Sequence, residues 1–316
     1  MKYPNLSLFL SLALILVPGA SALAQGHRVI TQGNGKLAIV EKDGEISWEK
    51  PWGGIHDIHV LENGHIMVQQ DMKRVVEIDP ESKSIVWTYD SADSDDNRGA
   101  RVEVHAFQPL GDGRVMIVES GPGRIIEVNR AGEIEKEIKL KLDKPNAHSD
   151  TRLVRKLASG NYLVCHENDR SCREYDGDGK VVWEYQVPLF GKEEKGGHGP
   201  EGFGNRLFGA LRLPSGNTLI STGNGHSVIE VTPEKEIVWK IEQDDLPGIK
   251  LAWVTTLELL PNGNYVIGNC HAGPGNPLLI EIEPKTKRVV WTFDRFKTFG
   301  NSVPNSQILD VEAVAR

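Results

Sequence analysis

One short pattern occurs five times along the chain and restricts its fold more than any other feature. Each copy has a leucine, two turn residues, a glycine, a polar residue and an apolar run; the copies span residues 61–68, 110–117, 157–164, 213–220 and 260–267. An x-Gly turn between two alternating runs predicts a β-hairpin whose glycine accepts a positive φ angle. The turn glycines lie 49, 47, 56 and 47 residues apart, so each hairpin belongs to a larger repeated unit.

A second marker follows most of the hairpins. A Glu-x-x-Pro turn and an apolar run end at Trp87, Trp239 and Trp291, and Trp183 ends a matching run after the third hairpin. Each unit therefore predicts four short strands, with the tryptophan on the outermost strand, where its ring packs between neighbouring sheets. The copy around Gly113 lacks the tryptophan.

Four-stranded units of 40 to 50 residues without intervening helices predict an all-β fold, a β-propeller. Residues 28–48 supply three strands of a unit that lacks its first strand, and residues 305–312 supply one spare strand at the far end. If the spare strand completes the first unit, the ring has six blades and no open sheet edge. We therefore predict a six-bladed propeller whose first blade combines N-terminal strands with a C-terminal strand, forming a single domain over residues 25–316.

The longest apolar run, residues 6–24, follows Lys2 and ends in Ala-Leu-Ala. This pattern is typical of a signal peptide over residues 1–24, cleaved before Gln25, and it predicts a periplasmic or secreted protein with no transmembrane domain after cleavage. The alternative is an uncleaved N-terminal anchor. In an oxidising compartment, Cys165 and Cys172 would either pair or remain free buried thiols.

Charge excludes one class of partner. The chain has 36 basic and 44 acidic residues, a formal net charge of -8, so it lacks the broad cationic surface that binds phosphate backbones. We therefore expect no nucleic-acid partner.

The Leu-Pro-Asn-Gly-Asn turn, the Glu-x-x-Pro turn and the Ile-Val-Trp run together resemble the repeats of exported bacterial propellers in the quinoprotein-like and arylsulfotransferase-like group. The resemblance covers nearly all of residues 28–312. It implies the propeller fold and, from the arylsulfotransferases, a channel histidine that accepts a sulfuryl group beside further histidines and an arginine. The longer docking motif of the holo-quinoproteins is missing, so bound pyrroloquinoline quinone (PQQ) is not expected.

Superposing the units on their turn glycines shows which side chains share a place in the ring. Eight residues before the glycine stand His56, His105, Arg152, Phe208 and Thr255. Six to eight residues after it stand polar segments 70–72, 119–121, 166–168, 222–224 and 269–271. The start of the first strand and the end of the second lie side by side near the axis, so we expect both sets to meet at one channel mouth.

The candidate catalytic residues are His56, His105, His166 and His271. The candidate ligand-binding residues are Arg101, Arg152, Glu119, Glu167, Asp71, Asn224, Asn269 and Trp253. In this hypothesis the arginines hold an anionic group, His105 or His56 acts as base or nucleophile, and His166 or His271 acts as acid. The alternative is a water-filled channel whose polar lining satisfies the strand ends.

Three insertions between blades, residues 90–100, 141–146 and 190–205, would form a lid or rim at this mouth, or solvated loops. His148 and His198 lie in or beside them and would reach the same mouth. No cofactor is predicted. A divalent metal on several imidazoles stays open, although no short ligand motif supports it.

The sequence therefore predicts an exported propeller that binds a small polar or anionic molecule, or a carbohydrate, at the channel mouth. Sulfotransferase-like or other histidine-dependent catalysis is left open. Two alternatives remain: a non-catalytic scaffold with a protein partner in the cell envelope, and a carbohydrate-active lyase.

Overall fold

The computed structural model describes residues 26–316, so the predicted signal peptide lies outside the described residues. Six four-stranded antiparallel sheets surround a common axis, which confirms the predicted six-bladed propeller. Blade 1 holds β1 (Val29–Gly33), β2 (Lys36–Val40) and β3 (Ile46–Pro51). Blade 2 holds β4 (Ile58–Val60), β5 (Ile66–Gln70), β6 (Arg74–Asp79) and β7 (Ser84–Asp90). Blade 3 holds β8 (Glu103–Pro109), β9 (Val115–Ser120), β10 (Arg124–Val128) and β11 (Ile134–Lys139).

The remaining blades follow the same order from the axis outward. Blade 4 holds β12 (Val154–Lys156), β13 (Tyr162–His166), β14 (Ser171–Tyr175) and β15 (Val181–Gln186). Blade 5 holds β16 (Gly209–Arg212), β17 (Thr218–Ser221), β18 (Val228–Val231) and β19 (Ile237–Ile241). Blade 6 holds β20 (Trp253–Leu259), β21 (Tyr265–Cys270), β22 (Leu279–Glu283) and β23 (Arg288–Phe293). A short helix α1 (Phe296–Phe299) leads to β24 (Ser306–Ile308), and no helix in residues 26–316 is long and apolar enough to cross a membrane.

The ring closes by pairing the two ends of the described chain. Strand β24 lies antiparallel to β1, with Ile308 opposite Val29 and Ser306 opposite Thr31. The hydroxyl groups of Thr31 and Ser306 lie 2.7 Å apart, and the Leu309 amide donates to the Arg28 carbonyl at 2.7 Å. This pairing gives blade 1 its fourth, innermost strand, as the sequence predicts.

The residue that follows each turn glycine makes the same contact with a glutamate in five blades. In five blades, the residue after the turn glycine pairs with the glutamate that opens the third turn; the pairs are His65 with Glu77, Arg114 with Glu127, Asn161 with Glu174, Asn217 with Glu230, and Asn264 with Glu281. The distances lie between 2.6 and 2.7 Å. Glu77, Glu127 and Glu281 are buried and the other two glutamates are half-buried, and a buried carboxylate needs such a partner. The five turn glycines all adopt the predicted positive φ.

The outer-strand tryptophans join neighbouring blades, as predicted. Four indole N–H groups donate to a carbonyl in the third turn of the next blade: Trp48 to Pro80, Trp87 to Arg130, Trp183 to Pro233 and Trp239 to Pro284. Blade 3, which lacks the tryptophan, instead places the Lys136 ammonium 5.5 Å from the Tyr162 ring centre of blade 4. Apolar clusters fill the space between adjacent sheets, as where Met67 and Val75 of blade 2 meet Phe107 and Ile117 of blade 3.

Cys165 and Cys172 lie directly opposite each other on β13 and β14. Both are buried, and both are free thiols in this structure.

The hairpin end of the channel is filled by a charged cluster and the last residues of the chain. Arg155 meets both oxygens of Asp57, at 2.7 and 3.0 Å. The backbone of Val314 and Ala315 pairs with Leu259, which carries Arg316 to His59, at 2.9 Å between Nη1 and Nδ1. These groups occupy the axis at the hairpin end, whereas the opposite, open end holds the side chains at the starts of the inner strands.

Replacing Ile308 by aspartate should weaken ring closure. The side chain is buried against the core between blades 6 and 1, so a carboxylate there lacks both packing and a partner. We expect the free energy of unfolding in urea to fall by about 4 kcal/mol or more. The control, Glu312→Ala at an exposed position, should change it by less than about 0.5 kcal/mol. Equal stability of Ile308→Asp and the parent chain would contradict the role of β24.

Glu258 should make stability depend on pH. Burial raises the pKa of Glu258 to about 7, and the Arg316 guanidinium, 4.0 Å away, offsets this only in part. Arg155 and His27 also lower this pKa from greater distance. Because the folded-state pKa lies above the unfolded one, the contribution of this group is fully present below about pH 4.5 and is lost as the pH rises through 7.

Glu258→Gln should therefore be more stable than the parent chain at pH 8, by up to about 3 kcal/mol, and similar to it at pH 4.5. The glutamine still accepts the hydrogen bond from the Ile308 amide. Urea unfolding of both proteins from pH 4.5 to 8 measures the difference. A difference that does not vary with pH would contradict the assignment.

Candidate functional site

The starts of the inner strands bring three predicted side chains together at the open end of the channel. The rings of His56 and His105 lie 4.8 Å apart, and Phe208 flanks His56 at 6.2 Å. Arg152 places Nη1 2.9 Å from His105 Nδ1. All four residues share the same place in the repeat, so the convergence follows from the propeller geometry.

A β-bulge aims His105 into this mouth. Val104 pairs with Glu119 and Ala106 pairs with Val118, so His105 is the extra residue in β8. Its ring is fully buried, with Nε2 3.1 Å from Glu103 Oε2 and Nδ1 2.9 Å from the Thr151 carbonyl. Burial lowers the pKa of His105 to about 4, against the opposing effect of Glu103, and Arg152 lowers it further. His105 is therefore neutral at pH 7.

His56 is neutral for the same reason. Burial lowers its pKa well below the ordinary value, and the charges of His105 and Arg152 add to this effect. Its Nδ1 is buried and has no hydrogen-bond partner among the described residues, while its backbone amide donates to Gln69. A neutral imidazole with a free nitrogen is able to accept a proton or a hydrogen bond from a ligand.

Glu103 connects the buried and the exposed parts of the mouth, and sequence reasoning missed it. Its Oε2 lies 2.8 Å from His148 Nδ1 as well as 3.1 Å from His105 Nε2, and its Oε1 accepts from Arg101 Nε at 3.0 Å. Hydrogen bonds from these partners, the one from His105 first, hold the pKa of Glu103 well below its usual range. The available signal was its position two residues before His105 in the same strand.

Arg152 forms a buried ion pair with Glu167 through Nε, and its Nη1 donates to the His148 carbonyl. Arg206 Nη1 lies 3.6 Å from the other oxygen of Glu167. The residues joined in this way, together with His56, form the mouth cluster: His56, Arg101, Glu103, His105, His148, Arg152, Glu167 and Arg206. Three arginines outnumber two glutamates in this cluster.

A cavity of about 280 Å³ adjoins the cluster beneath the 190–205 insertion. Its walls include Arg170, Glu194, Lys195, His198, Phe203, Arg206, Asn224 and Trp253. The His198 ring stacks on Trp253 at 4.8 Å and lies 5.4 Å from the His271 ring. Asn224 Oδ1 accepts from the Arg206 amide at 3.0 Å and so fixes the chain beside that guanidinium. The structure thus places the predicted Trp253, Asn224 and His271 at or beside one cavity.

The structure does not bring His166 to the mouth. It is fully buried, with Nδ1 2.9 Å from the Asp150 carbonyl and Nε2 2.9 Å from the Tyr175 hydroxyl. Burial lowers the pKa of His166 to about 4. Both ring nitrogens contact protein groups, so neither is available to a ligand.

Three other predicted ligand-binding residues are also engaged away from the mouth cluster. Asp71 is exposed and pairs with Arg74. Glu119 is buried and accepts from Arg124 Nε at 2.6 Å. Asn269 accepts from the Ala252 amide at 2.9 Å and donates to the backbone, which fastens the loop before β20. Side chains at the end of the second strand thus have different partners in different blades.

Comparison with models of protein families shows the family to which this chain belongs. The family model described as "Outer membrane protein assembly factor BamB" matches residues 33–293. The chain belongs to this family. No match was found among functionally curated proteins. The family supports the quinoprotein-like repeat, whereas the arylsulfotransferase-like part of the resemblance stays a prediction.

Solved structures support the propeller fold of this BamB-family chain. A protein of unknown function from Bacteroides caccae has a TM-score of 0.72 and 23% identity, over 89% of this chain and 98% of that one. A streptogramin B lyase has a TM-score of 0.54 and 14% identity, over 93% and 86% of the two chains. Virginiamycin B lyase from Staphylococcus aureus, in an inactive form with quinupristin, has a TM-score of 0.54 and 13% identity, over 87% and 86%. At these identities the similarity concerns the fold.

Removing Arg152 should destabilise the fold, because the buried Glu167 carboxylate then loses its ion-pair partner. Arg152→Met leaves this carboxylate with only the more distant Arg206, so we expect the free energy of unfolding to fall by about 3–5 kcal/mol. Adding Glu167→Gln removes the unpaired charge and should restore part of the loss. Urea unfolding of the single and double variants measures both effects; strictly additive losses would contradict the pairing.

Proposed function

We propose that this BamB-family propeller binds a small anionic molecule at the open mouth of its channel, in the cavity beneath the 190–205 insertion. The cavity walls carry three cationic groups, on Arg170, Lys195 and Arg206, against one carboxylate, on Glu194. Arg170 is already paired with Glu194 at 2.8 Å. The excess positive charge in a concave site favours an anion.

One observation carries the proposal. The Arg206 side chain is 48% exposed, lines the cavity, and has its nearest described carboxylate 3.6 Å away on Glu167. That carboxylate already pairs with Arg152. The Arg206 guanidinium thus retains the donors that bind a carboxylate, sulfate or phosphate group by two parallel hydrogen bonds.

The aromatic wall favours a ligand with a flat face. His198 and Trp253 are stacked at 4.8 Å and border the same cavity as Arg206. A sugar ring or an aryl group packs well against such a surface. Aryl sulfates and uronic acids combine this face with an anionic group, and we propose these two classes of ligand.

Histidine chemistry at the mouth would extend binding to catalysis. His56 and His105 are neutral and lie beside Arg152, the arrangement that a base needs next to a bound anion. We propose His56 as the base, because its Nδ1 has no hydrogen-bond partner among the described residues, whereas both ring nitrogens of His105 lie close to protein groups.

We place the protein in the periplasm. The apolar run at residues 6–24 is typical of an export signal, and the chain belongs to a family named for an outer-membrane assembly factor.

The family relationship favours a second candidate function, a scaffold that binds another protein. The outer strands expose Val86, Val182 and Val238, each about half accessible, on blades 2, 4 and 5. These residues lie on the outer rim, away from the mouth, so the two functions do not compete for one surface.

Arg206→Ala should weaken anion binding by about tenfold or more, because it removes hydrogen bonds to a charged ligand group. Calorimetric titration with 4-nitrophenyl sulfate and with glucuronate, supported by ligand-induced thermal shifts, measures this change. The matched control is Arg288→Ala on the outer strand β23, which should bind as the parent chain does. Absence of binding by the parent chain, or equal binding by Arg206→Ala, would overturn the proposal.

A further inference from the structure

We propose that Glu103, His105 and His148 form a site for a divalent transition-metal ion of the Zn²⁺ class. One ligand atom from each side chain, Oε2, Nε2 and Nδ1 respectively, lies within 4.8 Å of the other two. Glu103 Oε2 lies 3.1 Å from the His105 nitrogen and 2.8 Å from the His148 nitrogen. Two imidazoles and one carboxylate bind the metal in some catalytic sites, which leave one coordination position free for water or substrate.

The chain supports this set from several elements. Glu103 and His105 lie on β8, and the bulge in that strand turns His105 toward the mouth. His148 comes from the loop between blades 3 and 4, where Arg152 Nη1 donates to its carbonyl. A rigid strand therefore provides two ligands and a neighbouring loop provides the third.

Groups outside the three ligands suit a bound metal. A metal-binding histidine usually donates its second ring N–H to a carbonyl or carboxylate, and His105 Nδ1 lies 2.9 Å from the Thr151 carbonyl. A metal-binding carboxylate is usually hydrogen-bonded through its other oxygen, and Arg101 donates to Glu103 Oε1. Both conditions hold without any rearrangement of the backbone.

Metal binding would change the tautomer of His105. Without a metal, Nε2–H donates to Glu103, Arg152 donates to Nδ1, and the lone pair of Nδ1 also faces the Thr151 carbonyl at 2.9 Å. When a metal takes Nε2, the proton moves to Nδ1 and is donated to Thr151. The Arg152 Nη1 protons then point to the carbonyls of His148 and Thr151. The contact between Nδ1 and the Thr151 carbonyl then becomes a hydrogen bond, and the hydrogen bond from Arg152 to Nδ1 is lost.

The geometry also leaves room for exchangeable ligands. His105 is fully buried and Glu103 nearly so, whereas the His148 side chain is 57% exposed. A metal held by the three groups would thus face solvent on the His148 side, where water completes its coordination. Metal binding does not depend on the anion proposed above, since no residue of the three lines the cavity under the insertion.

The test is a titration of the purified chain, prepared without a histidine tag, with Co²⁺ followed by Zn²⁺ in a buffer that contains neither sulfate esters nor uronic acids. We expect one Co²⁺ per chain, a visible absorption band of a site with nitrogen and oxygen ligands, and displacement of Co²⁺ by Zn²⁺. His148→Asn and Glu103→Gln should each weaken binding by at least about 100-fold, beyond the 10- to 100-fold effect typical of an outer partner.

His65→Asn is the matched control. His65 also pairs with a glutamate, Glu77, at 2.6 Å, but it is not part of any three-ligand group in residues 26–316. Asparagine occupies the equivalent position in three other blades, so the variant should fold and bind Co²⁺ as the parent chain does. Circular dichroism confirms that each variant is folded.

The proposal is overturned if the parent chain binds no stoichiometric metal, or if folded His148→Asn and Glu103→Gln bind it as tightly as the parent chain. Metal binding without anion binding would refute the proposed function alone. Anion binding without metal binding would refute this inference alone.

Discussion

Three residues of antiparallel pairing between β24 and β1 hold the whole ring together. A propeller blade contacts only its two neighbours, so an open ring would leave an inner strand of blade 1 missing and the apolar face of blade 6 exposed to water. The Thr31–Ser306 hydroxyl contact and the backbone bond from Leu309 to Arg28 fasten this seam. Because the inner strands keep their places around the axis only in a closed ring, the arrangement of side chains at the channel mouth depends on the same pairing.

Within the ring, two repeated contacts explain why the sequence motifs recur. The residue after the turn glycine pairs with a glutamate of its own blade, as Asn264 does with the buried Glu281. The outer tryptophan donates to the next blade, as Trp239 does to Pro284. One contact is internal to a blade and the other joins two blades, so the repeat specifies both the unit and its stacking. Blade 3 departs from the pattern and uses Lys136 against an aromatic ring instead.

The two ends of the channel differ in how their charged side chains are paired. At the hairpin end, Asp57 pairs with Arg155, and Arg316 Nη1 contacts His59 Nδ1. At the open end, arginines outnumber glutamates, and His56 retains an unpartnered nitrogen. Buried charges that pair with each other have few donors left for a ligand, whereas an unbalanced group of donors beside a cavity favours an anionic one. The functional proposals therefore concern the open end.

The sequence by itself determined the architecture, because a hairpin turn, a buried glutamate and an outer tryptophan are local signals that recur at a fixed spacing. It also indicated that His56, His105 and Arg152 share a ring position, since residues at equal distance from the turn glycine occupy equivalent places. It did not determine which polar residues at the end of the second strand face the mouth: His166 contacts Tyr175, Glu119 contacts Arg124 and Asn269 contacts the backbone. Only the tertiary structure decided this, together with the roles of Glu103 and Arg206, because the direction of those side chains depends on bulges, turns and partners from other blades that no spacing along the chain records.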